Sequence, residues 1–194
     1  MAQQYSRRNL DFMLKEVLKV GELTQYPHFQ DYTPDMFDMV LDTAEEIADK
    51  IMRPAYVESD RKQPELTNGQ VKVHPAVKDY MKAMGDSGMI SATFHYEHGG
   101  QQLPLLVNAA NEFIRGAAHN SFVMFTGLTA GSAHLIYSFG SKELQEKFAD
   151  RMITAEWTGT MCLTEPQAGS SLSDVVTTAS PQADGTYKIK GQKV

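Results

Sequence analysis

The residues best suited by type and spacing to do chemistry lie in the run Leu163-Thr164-Glu165-Pro166-Gln167-Ala168-Gly169-Ser170-Ser171. The run reads as a strand that ends in a Pro/Gly/Ser turn. Gly169 lets a ligand or a second backbone approach closely. The Ser170 and Ser171 hydroxyls, with exposed backbone N–H groups, suit a phosphate or pyrophosphate. A plain surface turn has the same composition, and residue types alone do not separate the two. His95, Glu97 and His98 resemble metal ligands, but no Cys or further carboxylate completes a metal-site spacing, so they read as a surface loop. Cys162 lies in a strand-like segment with no nearby His and reads as a buried structural thiol rather than a nucleophile. The 11 methionines read as core filler, although methionine also suits a pocket for flexible chains.

Helices must position these groups. Leu10, Met13, Leu14, Val17 and Leu18 form an apolar stripe that predicts a helix over 8–20, stopped by Gly21. Thr33 as N-cap and Pro34 at the first helical position open a second helix, with Asp35 and Asp38 near its positive end. Its face from Met36 to Met52 predicts a helix to about residue 56. Residues 58–73 read as a loop or small hairpin around Asn68-Gly69. Further helices are predicted over 75–84, 104–118, 120–138 and 141–152, the last capped by Ser141. The pattern then changes. Residues 155–164 and 174–179 read as strands, and Asp184-Gly185 predicts a hairpin into the alternating Tyr187-Lys188-Ile189-Lys190. Helices followed by strands indicate two domains, 1–152 and 153–194. The expected fold is therefore mostly α: a helical bundle followed by the start of a β-domain.

Composition limits the function classes. The chain has 194 residues, 42% of them hydrophobic and 22% charged, which are ordinary globular values. A net charge of -6 argues against a broad nucleic-acid footprint. One cysteine permits no internal disulfide, which fits a reducing cytoplasm. The N-terminal residues contain no apolar stretch of signal-peptide length. Residues 116–141 carry no Asp, Glu, Lys or Arg, but His119, Asn120, Ser121, Thr126, Ser132 and His134 make a membrane span a poor reading. Gly127 and Gly131 in that run read as allowing close helix approach within a soluble bundle.

The motifs also carry a resemblance. Met161-Cys162-Leu163-Thr164-Glu165-Pro166-Gln167-Ala168-Gly169-Ser170-Ser171, followed by Asp184-Gly185-x-Tyr187-x-Ile189-x-Gly191-Gln192-Lys193, resembles the signature of the acyl-CoA dehydrogenase family. The preceding helices and the segment Gly140-Ser-Lys-Glu-Leu-Gln-Glu-Lys-Phe148 recur in the same order. The stretch from Arg8 to Leu18 resembles a longer bacterial branch, similar to methylmercaptopropionyl-CoA dehydrogenases, in a looser match.

The resemblance implies a helical domain, a β-barrel-like central domain and a C-terminal helical bundle. It also implies FAD, an acyl-CoA thioester and α,β-dehydrogenation as part of fatty acid metabolism, with a Glu removing the Cα proton. Met161 matches a position that packs near the flavin. Cys162 and Leu163 lie along the cofactor edge, and the Leu163 backbone meets the flavin pyrimidine ring. Thr164 matches a donor to the same edge. Gly169 and Ser170 match the turn beside the FAD pyrophosphate, with Ser170 also on the CoA side of the substrate. Glu165 and Pro166 match positions that shape the turn. The usual Gly-Ser-Asp is Gly169-Ser170-Ser171 here, which removes that Asp; Asp174 stands three residues later.

In this resemblance the catalytic base and part of the cofactor site follow Gly191-Gln192-Lys193, so none of these 194 residues is assigned as catalytic. The expectation is an inactive piece of a larger homo-oligomeric enzyme that binds FAD weakly or not at all. Electron-transfer flavoprotein is its expected electron acceptor. The alternatives are an acyl-CoA oxidase, or a non-catalytic helical interaction module on the same scaffold.

Overall fold

The apolar spacing of the first three quarters of the chain folds as helices. A computed structural model describes residues 4–194, and residues 1–3 of the N-terminal segment read above lie outside the described residues. The chain divides into a helical unit ending at Gly159 and a smaller unit, Thr160–Val194.

Helix α1 (Arg7–Phe12) continues into a wide π turn over Met13–Val17. The predicted stripe is largely exposed here: Leu14 is buried, while Met13, Val17 and Leu18 are not. Polar contacts hold this segment instead. Arg7 pairs with Asp11 at 2.9 Å, Asp42 at 3.0 Å and Glu45 at 2.9 Å. Helix α2 (Pro34–Ile47) begins where Pro34 fixes the first turn. Thr33 holds the extended cap conformation, but its side chain makes no cap hydrogen bond. A π turn, Ala48–Met52, joins α2 to α3 (Arg53–Arg61), so this helix runs beyond its expected end. Strands β1 (Glu65–Thr67) and β2 (Gln70–Lys72) form the hairpin, with Asn68 and Gly69 both at positive φ.

Helix α4 (Ala76–Asp86) buries Val77, Tyr80, Met81 and Met84, the face its spacing gives. A side chain at Gly85 would meet the Thr154 carbonyl carbon at 2.9 Å, so a glycine is needed for this approach. Helix α5 (Leu105–Phe139) is interrupted at His119, whose backbone is extended at φ -165° and ψ 88°. The two halves match the separate helices predicted on either side of residue 119. His119 is itself buried, stacks on Phe122 at 3.9 Å and meets Ser59 Oγ through Nε2 at 2.7 Å. Helix α6 (Lys142–Leu144), a π turn over Gln145–Ala149 and α7 (Asp150–Ile153) complete the helical unit. Ser141 Oγ accepts from the Leu144 N–H at 3.3 Å, so this cap forms as expected.

The core lies where α2, α4 and α5 meet. Leu41, Met52, Tyr80, Met84 and Ile114 are fully buried there. The methionine reading holds for Met52, Met81, Met84 and Met89 but not for Met36, Met39 or Met124, which are exposed. Helix α5 is long and apolar enough by length and composition to cross a membrane, and 22% of its most apolar window is buried. Its buried residues, from Val107 through Ile114 and Phe122 to Ala133, recur every three or four positions as one stripe.

The contact boundary falls a few residues beyond the change in composition. Trp157 packs on Phe148 with ring centroids 5.8 Å apart and lies under the Arg151 guanidinium at 4.6 Å. The Gly159 N–H donates to Thr129 Oγ1 at 3.1 Å. In the smaller unit, β3 (Thr178–Pro181) pairs antiparallel with β4 (Tyr187–Lys190) around the predicted turn, with Ala179 opposite Ile189. Two strand expectations need correction. Residues 155–164 form no strand, because no neighbouring strand forms a ladder with them among the described residues. Over 174–179 the strand begins only at Thr178, because Leu172–Asp174 forms a 3-10 turn. The architecture is mostly helical, with the start of a β-domain, as expected.

Candidate functional site: an exposed backbone edge locked by a buried carboxylate

The run beginning at Met161 takes its shape from Glu165. The Glu165 N–H donates to the Ala168 carbonyl at 2.8 Å, and the Ala168 N–H returns to the Glu165 carbonyl at 3.1 Å. This pair closes a tight turn over Pro166 and Gln167. Proline at the first central position suits such a turn.

The Glu165 side chain is 1% exposed and fully engaged. Its Oε1 accepts from the Thr177 N–H at 3.1 Å and from Lys193 Nζ at 2.9 Å. Its Oε2 accepts from the Val176 N–H at 2.9 Å and from Gln167 Nε2 at 2.7 Å. Hydrogen bonds from Thr177 first, then Val176, Lys193 and Gln167, hold this carboxyl well below the ordinary carboxylate range. The Thr177 contribution comes through its backbone N–H, because Thr177 Oγ1 makes no hydrogen bond. Lys193 Nζ also donates to the Leu163 carbonyl at 2.9 Å, and the Val194 N–H donates to the Thr164 carbonyl at 3.0 Å. Donors from two later stretches, Val176–Thr177 and Lys193–Val194, thus converge on one turn.

The expected cofactor residues lie on this locked segment. Met161, Cys162, Leu163, Thr164, Gly169 and Ser170 are all exposed. The N–H groups of Cys162, Leu163 and Thr164 make no hydrogen bond among the described residues. A side chain at Gly169 would meet nothing within 4 Å, and its φ is not positive. Neither backbone strain nor packing within the chain therefore calls for glycine there. Cys162 is a correction: the thiol is exposed, because the segment pairs with no strand that would cover it. Asp174 lies in the 3-10 turn, and its carbonyl accepts from Gln167 Nε2 at 3.3 Å.

Chemically, this is a row of free amide donors on a segment that also carries the Thr164 and Ser170 hydroxyls. Such a row suits a ligand edge rich in acceptors, such as a heterocyclic imide or a pyrophosphate. The donor set therefore fits FAD. Residue types placed Glu165 at the turn but gave no sign of the Val176 and Thr177 N–H groups that hold it. Lys193 was visible only as part of the Gly191-Gln192-Lys193 motif.

The histidine motif lies elsewhere, in the helical unit. His98 stacks on Tyr137 at 4.4 Å, and His95 meets His28 edge-on at 5.5 Å. Among the described residues, no group of three His, Cys, Asp or Glu could hold a metal ion.

The family profile of the acyl-CoA dehydrogenase N-terminal domain matches residues 34–156, from the start of α2 through α7. The 3-methylmercaptopropionyl-CoA dehydrogenase of Ruegeria pomeroyi is 32% identical, covering 100% of this chain and 33% of its own length. A butyryl-CoA dehydrogenase of Syntrophomonas wolfei is 34% identical, covering 97% of this chain and 32% of its own length. The chain thus spans about a third of the length of the curated relatives it matches. Among solved structures, the acyl-CoA dehydrogenase of Bacillus anthracis, complexed with FAD, superposes with a TM-score of 0.67 at 23% identity. That match covers 84% of this chain and 26% of the other, and it bears on the fold. With the profile covering most of the helical unit and the motifs in their expected order, the chain belongs to the acyl-CoA dehydrogenase family.

Proposed function

We propose that this chain supplies the helical scaffold and one edge of the flavin site of an FAD-dependent acyl-CoA dehydrogenase. Bound FAD supplies the redox chemistry, taking up hydride from the acyl chain. The chain's own residues bind and orient. The Leu163 and Thr164 amides face the pyrimidine edge of the cofactor, and Met161 and Cys162 line the approach to it. Gly169 leaves room beside the pyrophosphate, where the Ser170 hydroxyl donates to phosphate or to the CoA side of the substrate. The observation that carries this reading is the free amide row at Cys162–Thr164, whose Leu163 and Thr164 carbonyls accept from Lys193 Nζ and the Val194 N–H.

The finer reading follows from the family. The substrate is an acyl-CoA thioester, and an electron-transfer flavoprotein takes the electrons. The enzyme is a cytoplasmic homo-oligomer, and α5 is a core helix rather than a membrane span. The base is a Glu outside these residues, so the 194-residue chain alone binds FAD weakly and turns over no substrate.

Two measurements test this. Amide NMR of the chain titrated with FAD is expected to shift Cys162, Leu163, Thr164, Gly169 and Ser170 first. Saturable shifts confined to the helical unit would overturn the assignment. Mixing the chain with FAD, butyryl-CoA and an artificial electron acceptor is expected to give no turnover. Measurable reduction of the acceptor would show that the base lies within these residues.

A further inference from the structure

Buried charges in folded proteins are nearly always paired directly. Arg115, on the first half of α5, is 2% exposed, yet its hydrogen-bond partners are all neutral. Its Nε donates to Asn111 Oδ1 at 2.9 Å, and its Nη1 donates to Tyr80 Oη at 2.7 Å and Thr126 Oγ1 at 3.4 Å. Nη2 makes no hydrogen bond among the described residues.

The route from Arg115 to a carboxylate is a relay. Asn111 Nδ2 donates to Asn108 Oδ1 at 3.3 Å, and Asn108 Nδ2 donates to Glu112 Oε1 at 3.0 Å. Two neutral amides therefore stand between the guanidinium and an exposed carboxylate. Coulomb attraction falls with distance and with solvent, so this relay is a weak substitute for a direct pair.

Arg115 also lines a cavity of about 110 Å³, together with Thr93, Thr126, Gly127 and Glu112. The space equals roughly three to four waters, enough for a group of a few heavy atoms. Thr93 adds a hydroxyl that makes no hydrogen bond among the described residues. Guanidinium N–H groups are strong charge-assisted donors to carboxylates. We propose that this cavity binds a small monocarboxylate anion through Arg115 Nη2, the anion supplying the direct counter-charge that the fold omits. Glu112 borders the cavity and opposes the anion, which keeps affinity modest. The proposal concerns the helical unit alone and does not depend on the flavin reading.

The test is an amide NMR titration of the 194-residue chain with sodium acetate against sodium chloride at matched ionic strength. Saturable, acetate-specific shifts at Thr93, Arg115 and Thr126 are expected, and butyrate is expected to bind less tightly because of its size. Glu112→Gln, an exposed change, is expected to tighten acetate binding by roughly threefold by removing the like charge. Arg115→Gln is expected to abolish saturation. Should that variant fail to fold, Thr93→Val is expected to weaken binding in a folded protein. Identical responses to acetate and chloride, or an affinity that Glu112→Gln leaves unchanged, would overturn the proposal.

Discussion

The two units keep their shape by opposite means. In the helical unit, apolar faces spaced three and four residues apart meet around Leu41, Tyr80, Met84 and Ile114. Order there is spread over many contacts of similar kind. Among the described residues of the smaller unit, Ala168 and Glu165 are the buried ones, and both strands of its hairpin are exposed along their length. Order there rests on one charged side chain and its donors. A core of dispersed contacts tolerates local change, whereas a single polar knot fails as a whole.

The largest break in this contrast is expected from Glu165→Ala. It leaves the Val176 and Thr177 N–H groups and Lys193 without their acceptor. Hydrogen exchange is expected to lose protection throughout 160–194 while the helical unit keeps its own. Equal losses in both units would erase the contrast. The next largest effect is a paired comparison. Leu41→Ala, in the helical core, is expected to cost about 2–5 kcal/mol in urea unfolding. Ile189→Ala, on the exposed face of β4, is expected to cost less than about 0.5 kcal/mol.

Acid separates the units more gently. Burial, and secondarily nearby His74, holds the His119 pKa below its ordinary 6.5, while Asp60 pulls it the other way. The Glu165 pKa lies below its ordinary 4.5. A group whose folded pKa is depressed stabilises above its unfolded value, and that stability is lost as pH falls through the folded value. The helical unit is therefore expected to weaken first, as pH falls below 6.5, and the smaller unit only below 4.5. The single Trp157 reports on the first by fluorescence, and the Val176 and Thr177 amides report on the second. Simultaneous transitions would refute the assignment. The smallest test is at the caps. Ser141→Ala is expected to cost about 1 kcal/mol. Thr33→Ala is expected to be near neutral, because that hydroxyl makes no cap bond.

The same contrast explains what was legible in the residues. Helical spacing is local, so α2, α4 and both halves of α5 could be read directly, including the break at residue 119. Residues 155–164 have strand character without forming a strand, because β-branched and apolar residues report only a capacity to pair. Whether a partner is present depends on distant chain. Cys162 was placed inside for the same reason. The importance of Glu165 stayed hidden because its main donors are backbone amides, which every residue type but proline carries. At α1, spacing suggested an apolar stripe where Arg7 and three carboxylates hold the helix instead.

The Glu165–Lys193 contact spans 28 residues of sequence. On the ribosome, the turn at Pro166 therefore emerges long before the lysine that helps secure it. The helical unit, which ends at Gly159, emerges before that lysine and is free to condense first. Closing this long loop carries an entropic cost that must be met before its contacts form. The ligand-facing edge is thus expected to acquire its final form after the helical unit during synthesis.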